Sequence, residues 1–322
     1  MSTAALVPET RGLSGDDAWA VLRRTGRVRL LKDAFQRLRV ADGFSHARSF
    51  AFMSSLVAVQ GVIGLVGLAG ALNKGGLSDV IVATIRRAVP GPAGQVLTTA
   101  VAQAHSAAVE HRYSAVVVGL LGCLITGTTA MGQLERGLNR IYGVEQDRPS
   151  VRKYGLAFIF AVSAGTLTVI AFGCLAFGRQ LFGTSGSHGL STAWTIGRWP
   201  LGLGLMAAAI ALLFRWSPRR CQPRLSWLAF GAAVSVVLWG FATAALAFFY
   251  RYSSSFGQTY GPLAGMIALL LWCLLSSIAL FYGAAVAAQL EGVRAGGAAP
   301  QDDEKVAVSE PGEQRAPVAV AS

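Results

Sequence analysis

The chain has 322 residues, 53% of them hydrophobic and 14% charged, too apolar a balance for a soluble domain of that length. Its 28 basic residues outnumber its 16 acidic ones, and every acid lies outside the stretch from Arg148 to Leu290. A carboxylate at the centre of a membrane helix costs about 2.5–3.5 kcal/mol, so this gap marks a membrane protein and removes most carboxylate chemistry from it.

Residues 1–48 are polar and basic, with no apolar h-region over Met1–Val28, so no signal peptide is expected. They read as a cytoplasmic arm, partly ordered over its first 25 residues. A span needs about 20 residues at 1.5 Å each to cross a core of about 30 Å. Six segments qualify: Phe50–Leu72, Ser114–Met131, Tyr154–Phe182, Thr195–Phe214, Leu225–Tyr250 and Pro262–Leu290. The expected fold is therefore an all-α membrane bundle of six transmembrane helices over residues 49–291.

In the first span Gly61, Gly64, Gly67 and Gly70 recur every third residue. Such a stripe serves close helix packing, or a mobile or pore-lining helix. Gln60 sits mid-span and must find a partner in protein or water, either as inter-helix glue or as a substrate contact. The first loop, Asn73–Arg112, carries Ile81, Ile85 and Val89, then Val96, Leu97 and Val101, at helical spacing, with Pro90-Gly91-Pro92 between them. Two short amphipathic helices are expected there, outside the cytoplasm. The second span adds Thr126, Thr128 and Thr129, and the last adds Ser276 and Ser277. These hydroxyls are weaker pathway candidates, because Ser and Thr can bond their own helix backbone. Trp194, Trp199, Trp216 and Trp227 lie at segment ends as interfacial anchors, while Trp239 and Trp272 are mid-span packing residues. From Gly292 the tail is rich in Ala, Pro, Glu and Gln and reads as disordered over 292–322.

Lys and Arg set the orientation. The N-terminal arm, the second and fourth loops and the tail hold 21 of them, and the other side holds seven, so both termini are expected in the cytoplasm. Anionic headgroups are the expected partners of the loop arginines, with Arg136, Asn139, Arg140, Arg219 and Arg220 as headgroup contacts or topology determinants. No aspartate, glutamate, lysine or arginine lies deep in a span, which disfavours carboxylate proton coupling and excludes a voltage-sensing arginine helix.

Catalytic patterns are missing. His46, His105, His111 and His188 never form HxH or HExxH, and Cys123, Cys174, Cys221 and Cys273 have no metal-type spacing. There is no phosphate-binding glycine loop, so an ATP-driven pump is not expected. Neither a metal, a cofactor nor nucleic acid is called for.

Two regions carry a resemblance. One is Leu134-Glu135-Arg136-Gly137-Leu138-Asn139-Arg140-Ile141-Tyr142-Gly143-Val144; the other is Tyr260-Gly261-Pro262-Leu263-Ala264-Gly265 followed by Leu269-Leu270-Leu271-Trp272. Trp216-Ser217-Pro218 and Pro223 stand between them. In order and spacing the chain resembles the YihY/BrkB family of bacterial inner-membrane proteins, once labelled ribonuclease BN-like. The resemblance implies a six-helix inner-membrane protein that moves lipids or other amphiphiles or supports envelope integrity, and not a tRNA-processing nuclease. Where the family usually has Gly-Ala-Glu-x-Asn-Ala, this chain has Gly283-Ala284-Ala285-Val286-Ala287-Ala288, so no role of that Glu or Asn carries over to Ala285 or Ala287. The leading expectation is transport or flipping of an amphiphile without ATP, with Gln60, Thr126, Thr129, Ser276 and Ser277 on the pathway. The alternative is a structural or adaptor subunit, and a homo-oligomer is compatible with either.

Overall fold

The computed structural model describes residues 3–71, 76–110, 114–146, 149–176, 188–253, 260, 263–297 and 300. The described residues form ten α-helices and no strand. They are α1 (Gly15–Thr25), α2 (Arg27–Val40), α3 (Gly43–Ala71), α4 (Gly76–Ala88), α5 (Gly91–Glu110), α6 (Ser114–Tyr142), α7 (Ser150–Ala176), α8 (His188–Trp216), α9 (Leu225–Tyr252) and α10 (Leu263–Arg294).

Five stretches are long and apolar enough to cross a membrane: Gly43–Gly70, Val116–Tyr142, Ile196–Trp216, Leu225–Tyr252 and Leu263–Arg294. The expected third span falls on α7, whose described apolar stretch is the shorter Tyr154–Leu167; residues 177–187 lie outside the described ones. Large side chains such as Val118, Ile125, Val237, Phe241, Phe248 and Leu263 are exposed along these helices. In water that surface would drive aggregation, whereas acyl chains would cover it.

The long helices form a ring, each packed on the next: α3 on α6, then α7, α8, α9, α10 and back to α3. Across the ring, α6 also touches α10. The tightest join is α3 to α6. A Cβ on Gly64 would lie 3.0–3.1 Å from Gly119 and Leu120, and one on Gly119 would strike the Gly64 backbone. Glycine at both positions is what lets the two backbones touch where lipid supplies no hydrophobic drive. Gly231 and Gly283 make the same kind of approach between α9 and α10.

Several expected boundaries shift. Residues 132–142 are not loop but the last three turns of α6, because Leu134, Leu138 and Ile141 keep helical spacing and are fully buried. The helices expected in the first loop are α4 and α5. The 20-residue α5 packs on α3 and α10, with Ala93, Leu97, Val101 and Ala104 buried near Leu269 and Cys273. The N-terminal arm is two helices packed on α9 and α10, preceded by an extended segment. From residue 301 the expected tail lies outside the described residues.

The second half of α10 is enclosed by protein at one end of the ring. At 32 residues α10 is about 48 Å long, more than a bilayer core requires. Its first turns leave Leu263, Met266 and Leu270 exposed, whereas every residue from Gly283 to Gly292 is buried. α1, α2, the end of α6 and the segment 217–224 surround that buried stretch. This is the arginine-rich end.

Candidate functional site

The site is a buried polar layer at the basic end, assembled from five distant parts of the chain. Segment 3–14 threads through it in extended form. The Ala4 N–H donates to the Arg140 carbonyl at 3.1 Å and the Val7 N–H to the Tyr142 carbonyl at 3.2 Å. Further on, the Leu13 carbonyl accepts from the Arg224 N–H at 3.2 Å. An extended strand has unpaired backbone groups, and here the last turn of α6 and the start of α9 supply their partners.

Arg37 enters from α2. It shares the face made by Leu30, Ala34 and Leu38, so folding that face inward buries the guanidinium to 1% exposure. Its Nε donates to Gln289 Oε1 at 2.8 Å, and its Nη1 donates to the carbonyls of Ala5 and Ile141, both at 3.0 Å. Burial lowers its pKa to about 10, still high enough to keep the charge at neutral pH.

Arg220 enters from the segment between α8 and α9. Its Nη2 donates to Glu291 Oε1 at 2.7 Å and to the Pro8 carbonyl at 3.1 Å. The Thr10 hydroxyl donates to the same Glu291 oxygen at 2.6 Å. The guanidinium lies over the Tyr142 ring, 4.8 Å from its centroid, a geometry the ring quadrupole favours. Arg220 Nη1 and Glu291 Oε2 are buried with no hydrogen-bond partner among the described residues. The pair thus keeps one donor and one acceptor uncommitted. Chemically it is an ion-pair clasp that joins α10 to the arm and the 217–224 segment.

The other expected headgroup residues divide. Asn139 is fully buried, and its Oδ1 accepts from the Arg219 N–H at 2.8 Å, so it fixes the segment after α8. Arg140 closes the end of α6, donating through Nη1 to the carbonyls of Val144 and Glu145 at 3.2 and 2.6 Å. Arg136 is half-buried and Arg219 is exposed. Arg220 is a correction: its side chain is 1% exposed and held by Glu291, so it does not face headgroups.

The expected pathway residues are dispersed. Thr126 donates to Gln60 Oε1 at 2.8 Å, tying α6 to α3. Thr129, Ser276 and Ser277 donate to carbonyls of Ile125, Trp272 and Cys273 on their own helices. Pro218 is buried in the segment after α8, Tyr260 is 46% exposed, and Gly261 lies outside the described residues. Ala285 and Ala287 are fully buried where α10 is enclosed. Among the described residues no three His, Cys, Asp or Glu side chains are grouped to hold a metal.

Sequence reading missed Arg37, Gln289 and Glu291. One signal was present for each charged member. Arg37 stands on an otherwise apolar helix face, and Glu291 is the first acid after the long gap, at the end of an apolar helix.

Comparison with known proteins bears on most of the chain. Residues 34–307 match the family model described as virulence factor BrkB. A Bacillus subtilis (strain 168) protein with a ribonuclease-like name, YfkH, is 23% identical over 266 residues, covering 81% of this chain and 94% of that protein. A UPF0761 membrane protein of Xanthomonas campestris pv. campestris (strain B100) is 26% identical over 187 residues, covering 55% of this chain and 41% of that protein. Another, from Alteromonas mediterranea, is 26% identical over 171 residues, with 52% and 56% covered. The chain thus spans nearly all of YfkH but about two fifths of the Xanthomonas relative. No solved structure matches it.

Proposed function

The chain belongs to the BrkB family of membrane proteins, and from that premise we propose that it is a multi-pass protein of the bacterial inner membrane, both termini cytoplasmic, that passes a lipid or other amphiphile without ATP. The observation that carries this reading is the ring. Six helices packed side by side at about 8–10 Å surround a common axis, which the α6–α10 contact crosses. Here α3, α6, α7, α8, α9 and α10 close such a ring. Near the basic end Gly137 of α6 meets Phe281 of α10, and beyond it the layer of Arg37, Tyr142, Arg220 and Glu291 closes that end. A pathway shut at one end by a clasp of paired charges fits a protein that alternates access.

Anionic lipids are the partners this reading expects at the basic end, where Arg136 and Arg219 lie, and a homo-oligomer is compatible with it. The proposal involves no cofactor, nucleic acid or catalytic step. Its test is a proteoliposome assay with a fluorescent phospholipid in both leaflets and an impermeant quencher outside. Loss of the inner-leaflet signal above that of empty vesicles supports the reading. Full retention, with protein shown to be folded, overturns it.

One observation favours a second reading, a structural or adaptor subunit of the envelope. The hydroxyls and amide expected on a pathway are already spent on each other or on their own helices. That reading expects a stoichiometric partner to co-purify and the vesicles to stay sealed.

A further inference from the structure

The α1–α2 hairpin stands against the bundle with its tip pointing away from the enclosed basic end, towards the apolar part of the ring. Three contacts fix this. The Gly15 N–H at the start of α1 donates to Ser226 Oγ at 3.1 Å, beside the first turn of α9. One turn on, Trp19 packs on Phe230, ring centroids 6.2 Å apart, so α1 descends along α9. On the return, the Leu31 carbonyl accepts from the Tyr282 hydroxyl at 3.0 Å, while Arg37 reaches Gln289 at 2.8 Å, so α2 climbs back beside α10. The turn at Gly26 and the first residues of α2 are therefore deeper than Tyr282. From Leu263 to Phe281, α10 spans about 28 Å, close to one bilayer core. With Leu263 at one edge of the core, Tyr282 falls at the other, and the hairpin tip lies at or just inside that boundary.

The chemistry of the tip fits that depth. Val28 is 82% exposed, and Leu31 and Trp19 are 40% and 39% exposed. Arg23, Arg24, Arg27, Arg29 and Lys32 surround them, all exposed. Arg23 and Arg27 stack on Trp19 at 5.1 and 5.9 Å from its centroid. The acid nearest the tip is Asp33, 3.9 Å from Arg29; Asp16 and Asp17 are at the far end of α1. Exposed apolar residues ringed by cations, with an arginine-stacked tryptophan, are the pattern of a helix seated in an anionic headgroup layer.

We propose that this tip is a lipid-docking wedge: Val28 and Leu31 enter the boundary of headgroups and acyl chains in the leaflet at the basic end, and the five cations bind its anionic phosphates. The inference uses the membrane position of the bundle and is independent of transport.

Nitroxide labels at Val28→Cys and at Gln36→Cys, which is exposed higher on α2, test it in a cysteine-free background. The protein is reconstituted in nanodiscs of phosphatidylcholine with and without phosphatidylglycerol. Position 28 is expected to collide several-fold more with oxygen, relative to a water-soluble nickel complex, than position 36. Phosphatidylglycerol should slow the label at 28, and Arg23→Glu with Arg24→Glu and Arg27→Glu should abolish that slowing. Equal water access at both positions overturns the proposal, as does spin–spin broadening between labels at 28, which would mean that a second copy covers the tip. Hydrogen exchange of the unlabelled protein gives an independent reading, with slower exchange over 23–32 expected when the anionic lipid is present. Identical exchange in both nanodiscs overturns it too.

Discussion

Arg220 and Glu291, 71 residues apart in sequence, meet at 2.7 Å with both side chains only 1% exposed. Removing one partner of a buried pair strands the other charge, at a cost of about 3–5 kcal/mol, whereas replacing both with apolar groups is often close to neutral. Glu291→Gln and Arg220→Met should each lower the unfolding midpoint strongly in nanodiscs. Arg220→Met with Glu291→Leu should recover a large part of the loss. Additive single and double effects would mean that the pair is not coupled.

Arg37 serves three acceptors at once, Gln289 and the carbonyls of Ala5 and Ile141. Arg37→Met keeps the stem but leaves them without their donor, at about 1–3 kcal/mol for each buried group left unsatisfied. The expected outcome is a loss of at least one such step in unfolding free energy, with faster proteolysis of segment 3–14. Arg37→Lys should fall between, because an ammonium cannot reproduce the planar fork.

The α3–α6 join gives a graded test. Gly119→Val drives a branched side chain into the Gly64 backbone, and overpacking of this kind costs about 1–3 kcal/mol or more. Gly165→Ala and Gly204→Ala add a methyl where nothing lies within 4 Å, and should be neutral or slightly stabilising through helix propensity. Thermal unfolding of the three variants side by side checks the order.

Gln60 and Thr126 separate the two roles allowed to them. If they act as glue between α3 and α6, Gln60→Leu and Thr126→Val should show a coupling of about 0.6 kcal/mol in a double-mutant cycle, typical of such bonds in membranes. Vesicle flux should then be unchanged in the double variant.

Asp17 supplies a pH dependence. Its carboxylate accepts from the Ser14 N–H at 2.9 Å and the Ser14 hydroxyl at 3.0 Å, and these bonds, the backbone one first, hold its pKa below the ordinary value. A carboxylate with a depressed pKa stabilises the folded form above its unfolded pKa, near 4, and that contribution is lost as pH falls through the folded value. The protection of the amides in the first turn of α1, taken relative to the intrinsic exchange rate at each pH, should therefore fall below about pH 4. Asp17→Asn should flatten the profile.

Five of the six expected spans were legible because hydropathy alone specifies them, and Leu225–Tyr250 and Pro262–Leu290 differ from α9 and α10 by only a few residues at their ends. The end of α6 was not. Glu135, Arg136, Asn139 and Arg140 look like loop chemistry to any scale that penalises charge, yet Leu134, Leu138 and Ile141 between them kept the helical period and could have corrected the reading. The burial of Arg220 was not legible for a different reason. Its carboxylate partner lies 71 residues away, and no local pattern announces a pairing across that distance. The serines of α10 were readable in principle, since a hydroxyl one turn from a carbonyl has a partner at hand.

Segment 3–14 has a temporal consequence. Ribosomes make a chain from its N-terminal side onward, but Ala4 bonds to Arg140 and Thr10 to Glu291, 281 residues later. Ala4 therefore waits through the synthesis of six helices, and Thr10 through that of all ten described ones, before its acceptor exists. Insertion of the helices before α10 cannot depend on the Thr10–Glu291 bond. Segment 3–14 is made before the helices that seat it.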